Sequence, residues 1–112
     1  MTVPWEPPQR GKVEKILSDD DLDSGECRKA AEQILPIALA HDPQAEIMKI
    51  TPVGRARYVP TKVKLKKPWY HHYTTTVSFH YVDILTGAGG TPFENYREEH
   101  WAHPEWIDIK PL

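Results

Sequence analysis

At 112 residues the chain has room for one compact domain with a modest core. Its composition, 39% hydrophobic and 27% charged, is that of a globular chain, and no apolar run is long enough to span a bilayer. A formal net charge of −2 gives no general drive toward nucleic acid, and a single cysteine excludes an internal disulfide framework and a zinc site built from several thiolates.

The opening Met-Thr-Val-Pro-Trp has neither the charged segment nor the apolar stretch of a signal peptide. Residues 1–20 read as an extended arm or linker. Pro4, Pro7 and Pro8 fix φ and remove donors, so no helix is expected to start among them. Trp5 offers such an arm one anchor, and a short helical turn is expected over Lys12 to Leu17. The acidic run Asp19-Asp20-Asp21-Leu22-Asp23 leads into the clearest helix, expected over 24–40 with Asp23 or Ser24 as N-cap. Its apolar residues Cys27, Ala30, Ala31, Ile34, Leu35, Ala38 and Leu39 form one helical stripe, and Pro36 is placed to kink it. The phase sets the only cysteine, Cys27, at the top of the buried face beside the helix N-terminus.

His41-Asp42-Pro43 ends this helix. A strand is expected over Glu46 to Ile50, a turn at Pro52 and Gly54, and a second extended stretch from Tyr58 to Leu65. There Lys62, Lys64 and Lys66 alternate with Val63 and Leu65. This pattern predicts a solvated basic face, with contact to an anionic partner as the other reading. Trp69 to Leu85 is the strongest β region, rich in β-branched and aromatic residues, with a break near Ser78 to His80 that no Asn-Gly marks. After the glycine-rich loop 86–90, Thr91-Pro92-Phe93-Glu94 reads as a capping box with Thr91 at N-cap and Pro92 at N1, starting a helix that runs to about Trp101. Trp106, Ile107 and Ile109 suggest a last short strand. The order predicts one α+β domain over 1–112.

Chemistry turns on Cys27. The N-terminus of a helix carries about half a positive charge and favours a thiolate placed there. The competing reading is a small buried core residue. A nucleophilic thiol needs a base. His71 and His72 enter the long β region, and neighbours on a strand point to opposite faces, so at most one of them faces Cys27. Asp83, on the next extended segment, is placed to orient that imidazole across an antiparallel ladder; its competing role is to bond a turn backbone. His100 and His103, on either side of Trp101, read as surface residues. The histidines show no tight metal-ligand spacing, and neither metal nor cofactor is expected.

Three pieces of the chain together resemble the papain-fold toxin domains found at the C-terminal ends of bacterial polymorphic and contact-dependent inhibition toxins. They are a Cys opening an Ala-rich helix (Glu26-Cys27-Arg28-Lys29-Ala30-Ala31), a His opening a strand (His72-Tyr73-Thr74-Thr75-Thr76-Val77), and Tyr81-Val82-Asp83-Ile84 followed by a loop and the short helix at Thr91 to Tyr96. The resemblance spans most of 25–101 and implies a papain-like fold with Cys27, His72 and Asp83 as catalytic residues. It departs from the family in two ways: the usual hairpin Gly between the His and Asp strands is absent, and no Gln stands shortly before Cys27 as an oxyanion donor. The backbone N–H of Cys27 can serve instead, as one donor of the hole. The implied activity is that of a papain-like cysteine hydrolase or deamidase: acyl transfer on an amide, as a peptidase, deamidase or transglutaminase-like enzyme. The implied setting is a larger secreted or delivered toxin acting on a protein substrate in the target-cell cytoplasm and held in check by a cognate immunity protein. Two other classes compete with it. One is a metal-independent RNase using His71, His72, Lys64 and Thr75. The other is a non-catalytic binding module or immunity protein with the acidic run as its surface.

Overall fold

A computed structural model describes residues 1–19 and 26–112. The expected caps Asp23 and Ser24, and most of the acidic run, lie outside the described residues.

The first element corrects the sequence expectation. Residues 7–18 form a helix, α1 (Pro7–Ser18), which contains the turn expected over Lys12 to Leu17 and extends it back through residues read as an extended arm. Pro7 and Pro8 occupy its first positions, where a missing N–H costs nothing, and the Gln9 side chain accepts the Glu6 N–H at 3.0 Å. Only residues 1–6 stay extended, and they are packed in place. Val3 and Trp5 are buried; the Val3 N–H donates to the Gly89 carbonyl at 2.8 Å and Trp5 Nε1 to the Ala88 carbonyl at 2.7 Å.

Helix α2 (Cys27–His41) begins on the cysteine itself, with Glu26 as N-cap. Ala30, Ala31, Ile34 and Ala38 are buried along the expected stripe, whereas Leu39 is 43% exposed. Pro36 lies inside the helix on its exposed side, and the helix continues past it.

Five antiparallel strands follow: β1 (Glu46–Pro52), β2 (His72–Val77), β3 (His80–Val82), β4 (Thr91–Pro92) and β5 (Ile107–Pro111), in the order β4-β3-β2-β1-β5. All six residues of the central β2 are buried, because both sheet faces are covered. On one face Tyr73, Thr75 and Val77 meet α2. Thr75 Oγ1 donates to the Ala31 carbonyl at 3.3 Å, and Val77 joins Ile34, Ala38, Val82 and the α1 residues Val13 and Leu17 in the main core. On the other face Ile50, Val59, Tyr96, Trp101 and Ile107 form a second cluster. β2 turns into β3 through Ser78 and Phe79, both left-handed at φ 49° and 63°. Neither is Gly or Asn, the residues that hairpin turns of this kind favour. The turn is tied instead by Asp42 Oδ2, which accepts the Ser78 N–H at 2.9 Å.

Two further expectations are corrected. Tyr58 to Leu65 makes no strand. Pro60 cannot donate to a ladder, Thr61 Oγ1 closes a local turn on the Val63 carbonyl at 2.7 Å, and only isolated bridges Val59↔Trp69 and Thr61↔Trp101 remain. Thr91 does not cap α3 (Phe93–His100). Its backbone is drawn into β4 opposite Tyr81, the helix starts at Phe93, and Thr91 Oγ1 pairs with His100 Nε2 at 2.8 Å.

The packed arm yields a stability prediction. Gly90 has φ +73°, and a Cβ there would lie 3.1 Å from His80 Cβ, the Tyr81 carbonyl oxygen and Val3 Cγ2. Gly90→Ala should lower unfolding free energy by about 2 kcal/mol in urea denaturation, since the strained φ and the crowded site add. Gly87→Ala, also left-handed at φ +74° but in open space, should cost about half as much.

Candidate active site

The hydrogen-bonded ladder between β2 and β3 ends at Thr75↔Val82. Extended past that point, the register sets Asp83 opposite Thr74 and diagonal to His72, on one face of the sheet. Thr74 Oγ1 donates to the Val82 carbonyl at 3.3 Å where the ladder stops. A closed niche with no room for a water molecule lies here, and Cys27, Ala31, Ile34, His72, Val82 and Asp83 are among its lining residues. It draws on residues from both sheet faces because it sits at the end of the β2–β3 pairing. The structure therefore places Cys27, His72 and Asp83, named from the sequence, around one site.

His72 Nε2 stands 3.2 Å from Asp83 Oδ2, with the two side chains 0% and 4% exposed. The approach is oblique, and neither ring nitrogen makes an aligned hydrogen bond. The contact is thus held by charge more than by hydrogen-bond geometry. Burial alone would push the His72 pKa down. Asp83 first, and Cys27 second, outweigh burial and raise it from 6.5 to about 9. Trp69 stacks on the imidazole at 4.6 Å with 3° between the planes, and Trp101 flanks it at 5.9 Å. His71 is exposed and packs edge-on against Tyr73 at 5.4 Å, away from this niche.

Asp83 divides its two oxygens between two tasks. Oδ1 accepts the backbone N–H groups of Leu85 at 2.8 Å and Thr86 at 3.2 Å, the turn role that its sequence also allowed. Oδ2 faces His72 and accepts the Tyr96 hydroxyl at 2.6 Å. Burial pushes the Asp83 carboxyl up, but His72, Tyr96 and Thr74 together hold it below its ordinary value. Burial and the Asp83 charge push Tyr96 well above its ordinary value, so its hydroxyl keeps its proton and donates. The sequence reading assigned Tyr96 no role. A tyrosine among the polar residues that follow Phe93 in this eight-residue helix was the available signal, since burying it calls for a partner for the hydroxyl.

Cys27 is half-buried and heads α2, where its N–H has no acceptor within the helix. The RNase candidates are not gathered: Thr75 and His72 are buried, while Lys64 and His71 are exposed. Among the described residues no group of three or more His, Cys, Asp or Glu is placed to hold a metal ion, and no helix among them is long and apolar enough to cross a membrane.

Fold and site define an α+β domain in which a thiol at a helix start, a buried histidine and a buried carboxylate share one niche. Known protein families, curated proteins and solved structures contain no match to this chain.

Proposed function

We propose that the chain is a papain-like cysteine enzyme, the catalytic domain of a bacterial toxin, that performs acyl transfer on an amide. One observation carries the reading: His72, 3.2 Å from Asp83, shares a niche with Cys27 at the start of α2. In this mechanism His72 takes the Cys27 proton. The thiolate attacks an amide carbonyl, forming a C–S bond and an oxyanion that the Cys27 N–H can bind. As the C–N bond breaks, His72 delivers its proton to the departing nitrogen, leaving a thioester. Water or an amine, losing a proton to His72, then attacks that carbonyl. The C–S bond breaks and the thiolate returns. Asp83 keeps the ring oriented through both halves and stabilises it whenever it carries the proton. Because Cys27 is partly exposed and His72 fully buried, a substrate meets Cys27 first. In this reading the protein is delivered as part of a larger toxin, acts on a target-cell protein and is silenced by a cognate immunity protein.

Iodoacetamide alkylation at pH 7 tests it. Cys27 should react at least about tenfold faster than a free thiol, and His72→Ala should return it to the free-thiol rate. Equal, ordinary rates in both proteins would sink the assignment. An RNase reading is separated by Cys27→Ser, which a nuclease tolerates and a thiol enzyme does not.

A further inference from the structure

Half of the chain's lysines and arginines fall within residues 47–82, a stretch without a single Asp or Glu. Most of them lie on the connection from β1 to β2, residues 53–71, which walls a series of grooves. One, about 700 Å³, has Arg55, Arg57, Tyr58, Tyr70, Glu105 and Trp106 among its lining residues. Its three aromatic residues are unusually open for their size, at 42%, 68% and 39% exposure in that order. Tyr58 and Pro68 also line a second groove, of about 540 Å³, which adds Lys62, Lys64 and His103. Lys62 and Val63 carry on into a third, about 340 Å³, with Leu85, Glu99 and His100. Ile84 lines that third groove and the Cys27 niche as well. The three open grooves thus share lining residues in turn, and Ile84 stands between the last of them and the closed Cys27 niche. The two acidic residues that line these grooves face histidines: Glu105 stands 3.4 Å from His103 and Glu99 3.8 Å from His100.

We infer that this run of grooves binds an extended, acidic polypeptide segment and brings it to the edge of the Cys27 niche at Ile84. The inference rests on the reading of Cys27 as a nucleophile and supplies the substrate class that reading lacks. Six cations on one connection, in a stretch without Asp or Glu, favour an anionic occupant. Open aromatic faces and Arg side chains suit a polypeptide or a single-stranded nucleic acid equally. The end of the path decides between them. A thiol acts on a carbonyl, which a polypeptide presents at every residue and a phosphodiester backbone does not.

The test uses the intact chain carrying Cys27→Ala and a fluorescein-labelled, Glu-rich peptide of about ten residues with one central Gln, roughly 33 Å when extended. The peptide should bind, more weakly as salt rises. Arg55→Glu/Arg57→Glu/Lys64→Glu, all on the exposed connection, should weaken binding at least about tenfold. The alanine triple variant replaces it if charge reversal unfolds the chain. In the Cys27 protein, saturating peptide should slow alkylation of the thiol, and in the triple variant it should not. No peptide binding, tighter binding of a single-stranded RNA of equal length, indifference to the triple substitution, or binding without protection of Cys27 each overturns the inference. Ordinary thiol reactivity at Cys27 overturns the catalytic reading alone, since binding is measured without the thiol.

Discussion

Asp83→Asn is expected to cost about 3 kcal/mol of unfolding free energy and to slow Cys27 alkylation close to the His72→Ala rate. The substitution is nearly isosteric, which makes it diagnostic. An asparagine oxygen in the Oδ1 position still accepts the Leu85 and Thr86 N–H groups, so the turn survives. The other atom becomes an N–H donor set against the Tyr96 hydroxyl, 2.6 Å away in the native site, and against a protonated imidazole at 3.2 Å. The hydroxyl can rotate, but a buried imidazolium cannot keep its proton without a counter-charge. His72 turns neutral, the thiolate loses its partner, and both stability and reactivity fall. If Asp83 served only its turn, Asp83→Asn would cost under about 1 kcal/mol and leave alkylation unchanged. Urea denaturation and alkylation of the same samples distinguish the two outcomes. Tyr96→Phe belongs beside it: loss of one donor to Oδ2 should cost about 1–2 kcal/mol while His72 keeps its charge.

The parts of this fold that the sequence announces are those whose signal is local and periodic. The α2 stripe is legible because Ala30, Ala31, Ile34 and Ala38 must share one face of a helix wherever it packs. β2 is legible because a run of threonines, tyrosine and valine suits a pleated surface. What stays hidden depends on partners distant in the chain. Pro7 and Pro8 read as helix breakers until they are seen as the first positions of α1. Thr91 has the chemistry of a cap, but its backbone goes to Tyr81 on the neighbouring strand. The Ser78-Phe79 turn lacks the glycine that would mark it because Asp42, from the end of α2, holds it in place. The candidate site divides along the same line. Cys27 and Asp83 attract notice by residue type and position, and the adjacent pair His71 and His72 is narrowed by strand alternation to one inward residue without saying which. Burial makes that choice: His72 lies between Trp69 and Trp101, two residues that no local pattern connects to it.

The charge held in this niche should also be visible as a pH dependence of stability. His72 binds its proton more tightly in the folded chain, at about 9, than at its ordinary value of 6.5. Its contribution is therefore complete below pH 6.5 and is lost as the pH rises through about 9, amounting to roughly 3 kcal/mol across that window. Asp83 has the opposite sign. Its pKa is held below 3.8, so its contribution is present above that value and fades only as acid reaches the folded-state pKa. The pair should be at full strength from about pH 4 to 6.5 and weaken on the alkaline side first. Urea denaturation at pH 6 and pH 9.5, on the native chain and on His72→Gln, reads this out. Other titrating groups act on both proteins, so the difference between them isolates the imidazole. The native chain should lose roughly 3 kcal/mol more than the variant between the two pH values. Parallel losses would mean that His72 is neutral in the fold and that Asp83 holds no proton on it. The same proton is the one a departing amide nitrogen would need. An imidazole charged up to about pH 9 would let acyl transfer run through neutral pH and fail on the alkaline side, where the thiolate persists but the acid is gone.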